Sequence, residues 1–521
     1  MAVDPTDLSA LETELQCDGG HAIAVPATTV AAFLGRAQRG PLNEAIAVES
    51  FEAYRRVFGG HSGVGFLSQA VQQYFQHGGR EAVVVRIANR AVRASLELEG
   101  DGGVLRLQAR EPGAYEFLRA SVDYDGIPAN EERFNLVVQR LTRPGSQLVE
   151  DQELFSALSM DQPDDRFVVD VLKQSELIRL SGPLPAERPR ATRASHPGQP
   201  IPYVDMSWGG SDGEELTDYD IIGSNEEGTG LFALESVENI DLLCIPSLAS
   251  GREIGITTFL AAERYCRERH AMLIWDPPWS WRSAESALIG IRNSNVASRN
   301  AMMYFPRIRS RDAGDRYADG IPACGAVAGI LARNDRVGVW QSLEAGDSQL
   351  KFGLSPVSEI GQRQAAMLKR QGINSITRTD LGTYRLAGDV SLAGSKAVSR
   401  LWQRLDRRRL AFFILSSTRR HTRWALGRTG DQERLTSLTR QLNEFLNALF
   451  ERGALAGDRP AQAYFVRISA STEEQEETRL RIRIGFASEK PNEFQIYDIV
   501  HRTEGTECRA VPPLDAAQLA G

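Results

Sequence analysis

Gly209-Gly210-Ser211-Asp212-Gly213 has the spacing of a serine nucleophile. It fits G-x-S-x-G, in which the serine sits on a sharp turn between a strand and a helix and its hydroxyl stands free to attack an acyl carbon. The flanks do not suit that geometry. Proline-rich sequence (Pro197, Pro200, Pro202) stands where the strand is needed, and Glu214-Glu215 stands where the helix should open. Two carboxylates so near would also oppose negative charge developing on the hydroxyl. His270 and Asp276 are of triad type, but they flank a strand-like run, and side chains at opposite ends of a strand cannot hydrogen-bond to each other. The seven histidines (21, 61, 77, 196, 270, 421, 501) include no HxxxH or HExxH pair, and the five cysteines (17, 244, 266, 324, 508) no CxxC. Neither a metal site nor a disulfide framework is expected, and no cofactor. A hydrolase using Ser211 is the less favoured reading, because short motifs discriminate loosely.

The strongest charge feature lies near the C-terminus. From Lys396 to Arg428 there are ten Lys/Arg (396, 400, 404, 407, 408, 409, 419, 420, 423, 428) against Asp406 alone, a local +9 in a chain of net charge −8. Arginines at this density can bind phosphate. Here, however, they alternate with an apolar stripe (Val398, Leu401, Trp402 and Leu405 at i, i+3, i+4 and i+7), so a solvated helix face is the simplest reading. An acidic surface on another copy of the chain is the second. Glu473, Glu474, Glu476 and Glu477 crowd one turn, and residues 1–20 hold five acids and no base. Arg404, Arg408, Arg409, Arg419 and Arg420 are the cations expected to meet such acids.

These residues need a scaffold. A chain of 521 residues exceeds one hydrophobic core, so two to four domains are expected, and 42% hydrophobic with 25% charged residues is ordinary for a folded protein. Apolar runs such as 410–415 are too short to span a bilayer, and the apolar stretch 22–34 lacks the positive flank of a secretory signal. Scattered thiols suit a reducing compartment. After an acidic arm (1–24), residues 25–90 read as an α/β unit. A strand at 29–34 is followed by a helix capped by Ser50 that reaches Phe58, a helix from Phe66 to Tyr74, and a strand at 82–87. The glycine-rich loop 59–65 matches neither phosphate-binding fingerprint. Residues 91–180 carry alternating runs (104–108, 134–139, 166–172) that suit a small antiparallel β domain, and a Pro-rich linker fills 181–208. From 209 to 395, short apolar strands (240–245, 271–275, 301–305) alternate with helices (256–267, 284–292, 325–331), which indicates a largely parallel sheet with both faces covered. The block 396–502 holds the basic helix, an amphipathic helix through 435–449, and strands at 464–468, 480–486 and 494–500. A tail, 503–521, follows.

An ordered set of short motifs spans 24–502. It begins with Thr28-Thr29-Val30-Ala31-Ala32-Phe33-Leu34-Gly35, Arg39-Gly40-Pro41, Phe58-Gly59, Tyr74-Phe75-Gln76-His77-Gly78-Gly79 and Val83-Val84-Val85-Arg86. It continues with the Ser211 motif, Gly230-Leu231-Phe232-Ala233-Leu234-Glu235, Leu242-Leu243-Cys244-Ile245-Pro246, Tyr304-Phe305-Pro306, Gly338-Val339-Trp340 and Gly372-Ile373-Asn374. It closes with Arg408-Arg409-Leu410, Gly453-Ala454-Leu455 with Gly457, and Pro491-Asn492-Glu493-Phe494. In this order the chain resembles the contractile tail sheath proteins of contractile phages, R-type bacteriocins and phage-tail-like injection systems.

The resemblance implies an α/β and α+β multidomain fold. Its parts are a composite N/C-terminal α/β core (25–90 with 396–502), an inserted small antiparallel β domain pointing outward, and a subtilisin-like middle domain without a catalytic triad. The Ser211 motif then becomes a linker turn. The resemblance also implies a structural protein rather than an enzyme. Copies would stack as hexameric rings into a helical tube around an inner tube protein, meet baseplate and terminator or cap proteins, and contract to drive the tube through a target envelope. Assembly in a bacterial cytoplasm, no nucleic acid and no membrane insertion go with it. In similar sheaths, terminal strands complete a sheet shared between neighbours. Phe494, Gln495, Ile496, Tyr497, Asp498, Ile499 and Val500 are the strand expected to do so here, and deleting them is expected to leave a folded subunit that forms no tubes. Two departures stand out. An acidic arm replaces the family's Pro-Gly-Val-Tyr strand before Ala24, and Leu426-Gly427-Arg428-Thr429-Gly430 replaces its Phe-Glu-Pro-Asn. They leave open a sheath-like cap or adaptor that does not polymerise.

Overall fold

The computed structural model describes residues 29–61, 65–192, 202–310, 319–394, 403–428, 432–471, 479–502 and 505–511. The first unit supplies strands β1 (Val30–Gly35), β2 (Ala45–Val48) and β3 (Glu81–Arg86), with helices α1 (Phe51–Phe58) and α2 (Leu67–Gln76) between the last two strands. The Ser50 hydroxyl caps α1 by accepting the Ala53 amide at 3.1 Å, satisfying one of the donors a helix start leaves unpaired. Every residue of β1 is buried, so this strand needs a partner along both edges.

The chain then leaves to build a β module. One of its sheets joins β4 (Ser95–Gly100), β5 (Gly103–Ala109) and β9 (Ile178–Leu180). The other joins β6 (Phe117–Asp123), β7 (Arg133–Leu141), β8 (Val149–Ser159) and β10 (Val204–Asp205), in the order β10-β6-β7-β8. Alternate residues of each, such as Leu96, Leu98, Leu105 and Leu107 against Leu118, Val122, Phe134 and Leu136, close one core. The run 166–172, expected as a strand, is instead a helical turn over Val168–Leu172 whose two ends, four residues apart, both point into that core. Nor are the described residues of the Pro-rich stretch a free linker. Arg190 N donates to Glu99 O at 2.8 Å, Thr192 N donates to Val122 O at 2.8 Å, and Val204 pairs with Ala120.

Back in the core come β11 (Leu242–Cys244), α3 (Ile256–Arg269), β12 (Met272–Ile274), α4 (Ala284–Ser294) and β13 (Ala301–Met302). The central sheet runs β13-β12-β11-β1-β3-β2, parallel throughout except for edge strand β2. The first unit shares its sheet with the middle region, and it meets the C-terminal block by packing, through Leu405 and Phe412, and not by strand pairing. β3 covers one edge of β1 and β11 the other. Alternation splits the buried residues into two layers. Ala32, Leu34, Leu243 and Leu273 face α3 and α4, while Ala31, Phe33, Leu242 and Met272 face α1, α2 and α5 (Cys324–Asp335). A Cβ on Gly325 would lie 2.0 Å from Ala70 O, so glycine is what lets α5 seat directly on α2. The run 301–305 divides at Met303. β13 stays in the central sheet, and β14 (Tyr304–Phe305) joins β17 (Asn374–Arg378) and β18 (Tyr384–Ala387) in a second. β15 (Ile308–Ser310) and β16 (Leu354–Pro356) form a ribbon, and helix α6 (Gln362–Arg370) precedes β17.

The C-terminal block consists of α7 (Leu405–Thr422), α8 (Gln432–Glu451) and a four-stranded antiparallel sheet, β19 (Tyr464–Ser471), β20 (Arg479–Ala487), β21 (Phe494–Arg502) and β22 (Gly505–Val511), in that order. α7 belongs to two cores. Leu405 and Phe412 pack beneath the central sheet, and Leu410, Ile414 and Leu415 pack in the block's own cluster with Leu442, Leu446, Ile482 and Ile499. Lys396, Arg400 and the stripe Val398, Leu401 and Trp402 lie outside the described residues. No described helix is long and apolar enough to cross a membrane.

Candidate functional site

At the serine motif the chain passes antiparallel to its own entry into the β module, with Val92 paired to Ser211 and Ser95 to Trp208. The glycines permit close backbone approach. A Cβ on Gly210 would fall 2.0 Å from Gly113 O, and one on Gly213, at φ +77°, 1.9 Å from Asn89 O. Ser211 is exposed, and its Oγ accepts from Gly213 N at 3.0 Å. Asp212 turns away from it, accepting Ala114 N at 3.1 Å and standing 3.5 Å from Arg86. Among the described histidines, His61 contacts Ser68, His77 contacts Gln73 and Lys351, His270 lies against Phe412, His421 contacts Ser417, and His501 contacts Thr422 and Thr506; none of these contacts is to Ser211. The motif is a brace between module and core. His270 lies at the end of α3 against Phe412, and Asp276 Oδ1 accepts Ala323 N and Cys324 N at the start of α5, so the two do not meet. Among the described residues, no group of three His, Cys, Asp or Glu could hold a metal ion.

The arginine face is redistributed. α7 lies between two apolar clusters, so arginines on its enclosed faces must find partners inside. Arg408 is 5% exposed. It donates to Asn300 Oδ1 at 2.7 and 3.1 Å and lies 4.0 Å over the Phe412 ring. Burial pushes its guanidinium down to about 10, with Tyr497 opposing. Arg409 and Asp335, side chains 7% and 6% exposed, form a two-pronged pair with one contact at 2.8 Å. Burial works against the charge of Arg409, but Asp335, with Asp241 and Asp389 behind it, more than offsets this and holds it above its ordinary value. Thr29 Oγ1 donates to the same carboxylate at 2.5 Å, so β1, α5 and α7 meet at one buried charge. Arg408 and Arg409 are thus interior residues, which corrects the expectation that they line a subunit-facing surface. Arg404, 40% exposed, precedes α7 and grips Asp406 at 2.5 and 3.0 Å. Arg419 and Arg420 are half-buried, and Arg420 Nε and Nη2 are buried without an acceptor among the described residues. The acids expected opposite them (Glu473, Glu474, Glu476, Glu477) and the arm 1–20 lie outside the described residues.

The strand 494–500 is also placed differently from the expectation. Phe494, Gln495, Ile496, Tyr497, Asp498, Ile499 and Val500 belong to β21, which pairs with β20 on one side and β22 on the other. It has no open edge, and Ile496, Tyr497 and Ile499 are buried. β22, formed by the tail past residue 502, takes the place a neighbour's strand would need. Among the described residues the open edges of this sheet are β19 and β22.

Arg86 was missed by sequence reasoning. It is 1% exposed, and Nη1 donates to Gly40 O and Pro112 O, both at 2.7 Å, while Asp212 approaches Nη2. One cation therefore ties β3, the module entrance and the Ser211 turn together. The signal was available: an arginine ending the fully apolar run Val83-Val84-Val85 must either emerge or be paired.

No protein-family model matches this chain, and no curated protein matches it in sequence. Solved structures do match in fold. A sheath tail protein of Listeria innocua superposes with TM-score 0.63 at 13% identity, covering 95% of this chain and 98% of that one. One from Desulfitobacterium hafniense gives 0.56 at 11%, covering 92% and 97%. The sheath of an extracellular contractile injection system, PVC, in its contracted state gives 0.52 at 16%, covering 92% and 94%. Over nearly its whole length, this chain has the fold of sheath tail proteins.

Proposed function

We propose that this chain is the structural subunit of a contractile tail sheath. Copies stack as rings, hexameric by resemblance, into a helical tube around an inner tube protein, and the tube shortens by switching between two packings of the same subunit, driving the inner tube through a target envelope. The observation that supports this reading is the extent of the likeness, which runs through core, module and C-terminal block with little left over on either side. Assembly in a bacterial cytoplasm, a baseplate at one end and a terminator or cap at the other belong to the same proposal, as does the absence of nucleic acid and membrane insertion.

The units of the chain are then an arm (1–24), two parts of a sheath core (25–90 and 396–502), an inserted β domain (91–180), a Pro-rich segment (181–208), a subtilisin-like region (209–395) and a tail (503–521). A middle region of protease-like fold without protease chemistry is in keeping with a Ser211 hydroxyl engaged by its own turn. Contacts between copies fall to Arg404, Arg419 and Arg420 against acids such as Glu473, Glu474, Glu476 and Glu477 of a neighbour, and to strand addition at β19 or β22. Negative-stain images of the purified chain, alone and co-expressed with the inner tube protein, should show rings or striated tubes; particles no larger than a monomer in both samples would overturn the reading. One observation favours a second reading, a cap or adaptor: all four strands of the C-terminal sheet come from one chain. That reading predicts single rings and no tubes.

A further inference from the structure

The β module carries an exposed sheet face with a tryptophan and several arginines on it. The sheet β4-β5-β9 turns one face to the module core and the other to solvent, and the return segment extends it, Ser95 pairing with Trp208. On its other side Ser95 pairs with Gln108, and Gln108 pairs with Arg179. Residues directly opposite in antiparallel strands share a face, so Trp208, Ser95, Gln108 and Arg179 form an outward row about 14 Å long at the usual strand spacing. In the same registers Gly210, Arg93 and Arg110 form the next row, with Arg93 Nε donating to Arg110 O at 3.1 Å. Trp208 is 67% exposed. Arg110 and Arg179 are exposed, and Arg179 donates to Gln108 Oε1 at 3.2 Å. Burial and then the like charges of Arg179 and Arg110 hold Arg93 below its ordinary value, with Glu111 opposing. A ligand that covered the indole ring and brought carboxylates would bury apolar area and meet three gathered guanidiniums.

We infer that this face binds an acidic polysaccharide, with a sugar ring stacked on Trp208, carboxylates held by Arg93, Arg110 and Arg179, and hydroxyls by Ser95 and Gln108. The C–H face of a pyranose is apolar and packs on the indole, while planar guanidinium forks match carboxylates in two-pronged fashion. Arg93 and Arg110 stand side by side in one row and Arg179 lies in the next, beside Gln108 and Ser95, while Glu97 on the same face is held by Arg106, so a ligand's carboxylates would meet cations flanked by groups that bond hydroxyls. Duplex nucleic acid carries a charge about every 1.7 Å, far denser than three guanidiniums on this face could match. A protein partner would seat the tryptophan among apolar side chains, and its neighbours on this face are Ser95, Gln108 and Gly210. The inference does not depend on the sheath reading.

The test is calorimetric titration of the full chain with hexagalacturonate at physiological ionic strength, alongside neutral maltohexaose and an oligo-dT of similar length. Hexagalacturonate should bind at least about tenfold more tightly than either, and Trp208→Ala and Arg179→Ala should each weaken it about tenfold, with Leu381→Ala, exposed elsewhere, unchanged. Both variants alter exposed side chains, and circular dichroism should match the parent. Absence of hexagalacturonate binding, binding indifferent to both variants, or oligo-dT binding equally well would each overturn the inference.

Discussion

Arg409 and Asp335 form a two-pronged ion pair inside the protein, fastening the C-terminal block to the helix that closes the central sheet. Neither side chain has water to fall back on. Removing one partner leaves the other buried and unpaired, so Arg409→Ala or Asp335→Ala should each lower stability by about 3–5 kcal/mol, read from urea unfolding. The double variant Arg409→Met/Asp335→Leu should recover most of that loss; equal damage from the double variant would show that the charges themselves are not the issue. Reversing Arg408 or Arg409 to Glu would likewise report on folding, which leaves Arg404→Glu as the informative charge reversal for contacts between copies.

The Ser211 turn predicts a contrast between neighbours. Ser211→Ala removes one exposed hydroxyl and should change stability by no more than about 0.5 kcal/mol. Gly213→Ala places a methyl 1.9 Å from Asn89 O at φ +77° and should cost at least about 1–3 kcal/mol. Thermal unfolding of both variants checks this. A fluorophosphonate probe should fail to label Ser211 in the parent, since no described histidine stands beside it.

Two buried groups should give pH slopes of opposite sign. His77 Nδ1–H donates to Gln73 O at 2.7 Å and Nε2 accepts Lys351 N–H at 3.1 Å, so the neutral ring fits, and burial pushes its pKa down to about 4. With the folded pKa below the unfolded one, the unfolded chain binds the proton first. Stability should therefore fall by about 1.4 kcal/mol per unit as pH drops from about 6.5 to about 4. His77→Gln should remove that slope.

Asp276 works the other way. Burial raises its pKa to about 6 while Ala323 N and Cys324 N donate to it. The folded chain then keeps a proton that the unfolded chain has already lost, so this contribution declines as pH rises from about 4 to about 6 and is flat above. Asp276→Asn should abolish the decline. Urea midpoints of each single variant across this range separate the two effects, which partly cancel in the parent.

Strand β21 lies in the middle of its sheet, and Ile496, Tyr497 and Ile499 fill the block's core. Deleting 494–500 should therefore unfold the block instead of leaving a sound subunit that cannot assemble, and proteolysis should clear it. Among the described residues, ending the chain after Arg502 removes edge strand β22, the His501–Thr506 contact, the Arg502–Glu507 ion pair and the packing of Cys508. That shorter chain should stay folded by circular dichroism, making it the better subject for imaging.

Much of the framework was legible in one dimension. Ser50 before an amphipathic run, the unbroken apolar strand that became β1, and the alternation in β5 and β7 all express contacts between residues near in sequence, where spacing alone says which side faces inward. The ordered motifs added the expectation of a sheath-like fold. The run 166–172 was misread because apolar residues four apart suit a helical turn as well as alternation suits a strand.

The sequence by itself determined most of the local elements and which of their faces turn inward. Only the tertiary structure decided what they touch. β1 lies beside β11, more than 200 residues away, because both of its edges needed partners. Arg408 and Arg409 turned inward because Asn300 and Asp335 wait on distant elements, and Asp212 serves a brace because Arg86 is buried behind it. β21 lost its open edge to a strand that reads as a tail. A row of Trp208, Ser95, Gln108 and Arg179 exists only once four separate segments are in register. Charge and strand edges are satisfied by proximity in space, and a periodic pattern carries no record of which distant segment will supply it.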